Sequence, residues 1–263
     1  MQIFLRMLLA IYLAHLLSDF LFQPASLVEQ KRRGKFSAYL LHGLIHYVTS
    51  ILLIGFFVRT SAASFRTYLV LLLLTAIHLL LDAAKIRLTA SGLLRNDALA
   101  YPSDQLIHFF TIVFAAWLLV PGLPFAQLFA FAGLSRTVQT KWFAVPIVYI
   151  GVVFGGGYLI RDLTRGMAES IKTQSPAESG EELQNAGLYI GWLERFLVVT
   201  ALLLHSPATV GLILTAKSIA RYPEFKSKRF AEYFLIGTLL SISIAILGGA
   251  LLSKLLFGAV QIP

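Results

Sequence analysis

Eight ionisable residues in the first half of the chain recur at one spacing. His15 and Asp19 are four residues apart, and so are His42 and His46, His78 and Asp82, and Asp104 and His108. Residues at i and i+4 share one face of a helix, with Cβ atoms about 6 Å apart. Each pair therefore forms one polar stripe. Five of the six histidines of the chain belong to this set. Imidazoles and carboxylates together suit Zn, Mn or Fe as divalent ions. Eight such groups suffice for one ion whose ligands are held by further carboxylates, or for two ions a few ångströms apart.

The order of the pairs suggests a duplication. His15-Leu16-Leu17-Ser18-Asp19 parallels His78-Leu79-Leu80-Leu81-Asp82, and His42-Gly43-Leu44-Ile45-His46 parallels Asp104-Gln105-Leu106-Ile107-His108. The matching steps are 27 residues from His15 to His42 and 26 from His78 to Asp104. Residues 1–58 and 67–121 thus read as two parallel copies of one helical hairpin. Gln23 continues the first stripe, and Lys85 stands near the matching place in the third helix. Lys85 can neutralise an anionic headgroup, or snorkel to the interface. Glu29 and Lys31 read as ordinary loop residues.

The elements that must carry these stripes are membrane helices. The chain has 263 residues, 57% hydrophobic and 13% charged, with a mean hydropathy of +0.77. A soluble domain carries roughly 25% charged residues. Several apolar runs reach the roughly 20 residues that cross a bilayer. The fold class expected is all-α, a polytopic membrane bundle of about eight spans. These are placed near 3–23, 36–58, 67–87, 104–121, 142–160, 187–205, 208–221 and 230–255. The first run has no small-residue cleavage signal and reads as a retained helix. Residues 125–134 are apolar but short, which suits an interfacial or re-entrant piece.

Four parts follow from this reading. They are a four-helix domain with the duplicated hairpin (1–121), an interfacial segment with the fifth helix (122–160), a polar cytoplasmic linker (161–186) and a three-helix part (187–263). Gly155-Gly156-Gly157 in the fifth span marks a kink or a close helix contact. The last part has its own polar set. Glu194, Arg195, Lys217 and Glu232 suit a buried ion-pair network, more easily structural than chemical.

The formal charge of +9 lies in short groups between spans, which fits positive-inside loops and not nucleic-acid binding. The odd-numbered loops hold fourteen Lys/Arg, among them Lys31, Arg32, Arg33, Lys35, Lys85 and Arg87. The even-numbered loops hold four: Arg59, Arg66, Arg136 and Lys141. The odd loops are then cytoplasmic, both termini periplasmic, and all eight ionisable residues sit at cytoplasmic helix ends. There is no cysteine, so disulfides and thiolate ligands are excluded. No nucleotide loop, serine triad or haem motif is present.

The runs HLLSDFLFQ and HGLIH, with AGLYIGWLER, AKSIARY and AEYFLIGTLLS further on, resemble a bacterial membrane family catalogued as domain of unknown function 3307. The resemblance implies an inner-membrane protein, and places the family's histidine-aspartate pattern on His15, Asp19, Gln23, His42 and His46. It brings no catalytic roles.

Three functions remain open. The first is an intramembrane metal-dependent hydrolase at the cytoplasmic face, acting on a lipid-like or anionic substrate. Its ligands would be His15, His42, His46, His78 and His108, with Asp19, Asp82 and Asp104 as ligands, orienting groups or base, and Lys85 assisting. The second is an ion or small-solute transporter, against which the polar groups leave no relay across the membrane. The third is a membrane scaffold or regulatory protein without catalysis. Aromatic and glycine-rich faces on the fifth and eighth spans suit a homodimer or the bundle core.

The charge bias makes a direct prediction. A reporter fused after residue 175 is active in the cytoplasm, and one fused to the C-terminus is active in the periplasm. A cytoplasmic C-terminus means that one span is miscounted.

Overall fold

The computed structural model describes residues 2–58, 64–93, 100–124, 138–172 and 181–258. Every regular element among them is helical. Five helices are long and apolar enough to cross a membrane: Gln2–Phe20, Phe36–Val58, Phe65–Ala90, Lys141–Ser170 and Lys228–Phe257. The protein is an all-α, polytopic membrane bundle. The short segment at 125–134 lies outside the described residues.

The chain divides into two compact units, Met1–Phe143 and Ala144–Pro263. In the first, α1 (Gln2–Phe20), α3 (Phe36–Val58), α4 (Phe65–Ala90) and α5 (Ala100–Leu118) form a closed ring. α1 packs on α3 and α5, α3 packs on α4, and α4 packs on α5. α1 is the most enclosed of the candidate spans, with Phe4, Met7, Ile11 and Ala14 all buried. α3 and α4 keep Leu44, Leu52, Phe56, Leu69, Leu73 and Leu80 exposed. A leucine-rich outer face of that extent belongs in lipid.

Between α1 and α3 the sequence suggests a loop, yet Ala25–Arg32 forms a short helix, α2, that packs on α3. Pro24 precedes its first turn, where its missing N–H and fixed φ cost nothing. Gly34, with φ at 73°, supplies the left-handed conformation that turns the chain into α3. α5 begins at Ala100, four residues earlier than the sequence reading, with Pro102 in its first turn. Ser103, Asp104 and Gln105 fall in its first two turns, so its apolar part is shorter than in the five spans.

The second unit begins within α6 (Val138–Ile150), which passes through a π turn, Gly151–Gly155, into α7, Gly156–Lys172. The polar residues from Arg161 to Lys172 continue that helix. α8 (Glu181–Leu203), α9 (Ala208–Ala220) and α10 (Lys228–Phe257) complete the unit. α8 and α10 pack together, around Val198, Val199, Ala245 and Leu252. Gly248 and Gly249 let α10 approach closely: a Cβ there would lie 2.3 Å from Val152 Cγ2 and 2.7 Å from Leu202 Cδ1. Small residues serve helix packing in membranes this way.

The contact that most directly positions the polar stripes is between α3 and α4. Gly43 is buried, and a Cβ on it would sit 2.8 Å from Leu79 Cδ1 and 3.4 Å from Thr75 Cγ2. The neighbours of Gly43 and Leu79 in the chain are His42 and His78. Gly43→Leu should therefore force α3 from α4 and lower stability by about 1–3 kcal/mol. A fall in thermal midpoint in detergent, with little change for Gly43→Ala, checks this.

Candidate metal centre

The ring of helices brings the four stripes together. His15 and Asp19 come from the end of α1, His42 and His46 from the start of α3, His78 and Asp82 from α4, and Asp104 and His108 from the start of α5. All five imidazoles are buried. Ionisable side chains avoid hydrocarbon by facing one another, and the ring of four helices brings these stripes face to face.

Asp19 is the hub. Its Oδ1 lies 2.8 Å from His46 Nε2, 3.3 Å from His42 Nε2 and 3.6 Å from His78 Nε2, and its Oδ2 lies 3.6 Å from His15 Nε2. Its nearest partners among the described residues are four imidazoles. Asp82 is a second hub. Its Oδ2 takes Lys31 Nζ at 2.6 Å and lies 3.7 Å from His42 Nε2 and 3.8 Å from His78 Nε2, while Oδ1 is 3.7 Å from His108 Nε2. Asp104 pairs with Lys85 Nζ at 2.8 Å and stands 3.7 Å from His108 Nε2.

The imidazoles also meet each other. His42 Nε2 and His78 Nε2 are 3.2 Å apart, and His78 Nδ1 and His108 Nδ1 are 3.1 Å apart. His15 Nε2, His42 Nδ1 and His108 Nε2 are buried with no hydrogen-bond partner. Such orphaned atoms cost about 1–3 kcal/mol each unless something satisfies them. Next to the cluster is a cavity of about 20 Å³, lined by His15, His46, His78 and His108 with the hydroxyls of Ser50 and Thr75 among others. A polar space of that size holds one water-sized occupant.

Three sets of side chains bring their ligand atoms within 4.8 Å of one another and can hold a divalent ion: His15, Asp19, His46 and His78; His42, His78 and Asp82; and Asp82, Asp104 and His108. The first and third share no residue.

Lys31 is the residue the sequence reading misses. It lies in what reads as a basic loop, yet it is 4% exposed and bonded to Asp82. The signal was the phase of α2: Leu27 and Lys31 are an i, i+4 pair, and both are buried. Lys85 pairs with Asp104 and keeps its side chain 38% exposed. Gln23 follows α1 and buries an amide nitrogen with no partner.

The polar set of the second unit is arranged differently from a closed ion-pair network. Glu194 pairs with Lys217 at 2.7 Å. Arg195 donates from Nε and Nη2 to the carbonyl of Val153 in the π turn, at 3.0 and 2.7 Å, and from Nη1 to Ser241 Oγ at 3.2 Å. Glu232 is exposed.

Residues 7–131 match the family described as "Protein of unknown function (DUF3307)". Over this stretch, a little under half of the chain, the sequence is similar to the DUF3307 family. All eight clustered residues fall inside the DUF3307 match, whereas the runs around Glu194, Lys217 and Glu232 lie beyond its end. No curated protein matches the chain, and no solved structure matches it.

The Lys31–Asp82 pair is testable without knowing the function. Removing one partner of a buried pair strands the other charge and costs about 3–5 kcal/mol, whereas replacing both is far milder. Lys31→Met and Asp82→Asn should each destabilise the protein, and the double variant should recover most of the loss. Chemical or thermal denaturation of the four proteins gives the cycle.

Proposed function

We propose that this protein is an intramembrane metal-dependent hydrolase acting on a lipid-like substrate at the cytoplasmic face of the bacterial inner membrane. The observation that carries the reading is Asp19. It is a carboxylate set among four imidazole Nε2 atoms at 2.8–3.6 Å. An ion pair needs one partner; a carboxylate ringed by imidazoles has the composition of a metal ligand set.

Charge supports the same reading. With neutral histidines, Asp19, Asp82 and Asp104 bring three negative charges, and Lys31 and Lys85 return two. One negative charge is left over, on the carboxylate without a lysine. A buried uncompensated charge is costly, and a bound cation removes the cost. A divalent ion there would supply a Lewis acid able to activate water at neutral pH. The chain's own groups then divide the work. His15, His46 and His78 hold and orient with Asp19. Asp82 and Asp104 orient ligands or accept a proton. Lys85, 38% exposed, faces the side from which a substrate enters.

The wider architecture belongs to the same proposal. The duplicated order of the stripes supports two parallel hairpins at 1–58 and 67–121, with Asp19 and Asp82 as equivalent hubs. The Lys/Arg bias supports eight spans with both termini periplasmic. The four-part organisation with a cytoplasmic stretch near 161–186 follows from that topology. A homodimer through the glycine-rich faces remains a reading of composition alone.

Metal content decides the proposal. Detergent-purified protein should hold about one or two ions per chain by inductively coupled plasma mass spectrometry. His46→Ala and His108→Ala should each lower that number while leaving the fold of Ala144–Pro263 intact. No transition metal in the wild type, even after incubation with Zn²⁺, Mn²⁺ or Fe²⁺, refutes it and leaves either ion conduction or His–Asp contacts that only tie the helices together as the account of the cluster.

A further inference from the structure

We infer that the loaded cluster is an anion site for a phosphate monoester, with Lys31 and Lys85 as the ammonium groups that meet it. This rests on the metal reading above and deepens it by naming the substrate class.

The three carboxylates and two lysines sum to −1 with neutral histidines. One divalent ion takes the sum to +1, and two take it to +3. Two ions are accommodated without sharing a ligand, because the set of His15, Asp19, His46 and His78 and the set of Asp82, Asp104 and His108 have no residue in common. A low-dielectric site does not retain an excess of that size. It draws in an anion, and a dianion offsets more of it than a chloride or a carboxylate. Phosphate monoesters carry between about one and a half and two negative charges at neutral pH.

The donors are in place. Lys31 Nζ and Lys85 Nζ sit on Asp82 and Asp104 at 2.6 and 2.8 Å, so an ion that takes over those carboxylates frees two ammoniums beside it. Lysine binds phosphate as a compact point charge. Gln23, four residues beyond Asp19, holds a buried amide nitrogen with no acceptor. Outside the cluster Arg32, Lys35 and Arg87 are exposed, and a basic rim raises the local concentration of anions. The phosphate can come from a lipid headgroup or from solution, and the same chemistry recognises both.

The test uses the full chain in phosphatidylcholine nanodiscs, with metal content read separately on every sample. Mn²⁺- or Zn²⁺-loaded protein should bind radiolabelled inorganic phosphate, and stripped protein should not. Lys85→Gln should weaken that binding about tenfold, in line with the loss of one charged hydrogen bond, at unchanged metal content, while Lys85→Arg keeps most of it. Lys31→Gln should act alike; because Lys31 is buried, Lys85 is the variant that decides if Lys31→Gln fails to fold. Displacement of the label by phosphatidic acid added to the nanodiscs identifies a lipid headgroup as the ligand. Displacement by soluble phosphate alone identifies free phosphate. A metal-loaded wild type that binds no phosphate, or a Lys85→Gln variant that binds it as the wild type does, overturns the inference and leaves the metal centre standing. A wild type without metal overturns both, and the metal analysis tells the two failures apart.

Discussion

Everything in the first unit answers to the cost of keeping charge away from hydrocarbon. Asp19, Asp82 and Asp104 cannot face lipid, so the helices that carry them must close on one another. The ring of α1, α3, α4 and α5 is the smallest arrangement that hides four polar stripes at once. Leucines then cover the outside and histidines fill the inside. The glycine at position 43 matters for the same reason. It lets α3 and α4 approach until His42 and His78 are 3.2 Å apart, a distance at which two imidazoles serve one another or one ion.

The two halves of the chain solve the problem with different chemistry. The first uses carboxylates, imidazoles and lysines, each able to trade partners. The second also forms ion pairs, but it holds its buried arginine another way. Arg195 is buried and, among the described residues, is held by a main-chain carbonyl and a serine hydroxyl, not by a carboxylate. Glu194, its neighbour in sequence, turns to Lys217 instead. Donors fixed on a carbonyl suit a locked joint between helices. Donors on carboxylates that a metal can claim suit a site that changes state.

The stripes themselves were legible because i, i+4 spacing is a local property, and hydropathy shows which runs are membrane helices. His15 with Asp19 and His78 with Asp82 needed only that rule. Lys31 was hidden because α2 is eight residues long, too short for periodicity to stand out against a basic loop. Its burial depends on Asp82, fifty-one positions away, which no local pattern reports. The partner of Arg195 was hidden for another reason. A carbonyl acceptor has no side-chain identity, so the pairing of Arg195 with Val153 leaves no mark on residue types. The glycines at 155–157 carried the hint: a Cβ at Gly157 would lie 2.7 Å from Arg195 Nη2.

The π turn at Gly151–Gly155 has a consequence for the helix that follows it. A π turn accommodates one more residue than the α-helix would in the same advance. Each residue in an α-helix turns the chain by about 100°, so the extra one rotates every side chain of α7 by that much relative to α6. The faces of Val138–Ile150 and Gly156–Lys172 are therefore out of phase. Arg161, Asp162 and Arg165 point where a single uninterrupted helical wheel, drawn from Val138, would not put them. A one-residue insertion in an ancestor leaves this kind of trace. Deleting one residue there would return the wheel to a single phase and withdraw the carbonyl that holds Arg195, while the charged end of α7 kept the side of its axis that it has now.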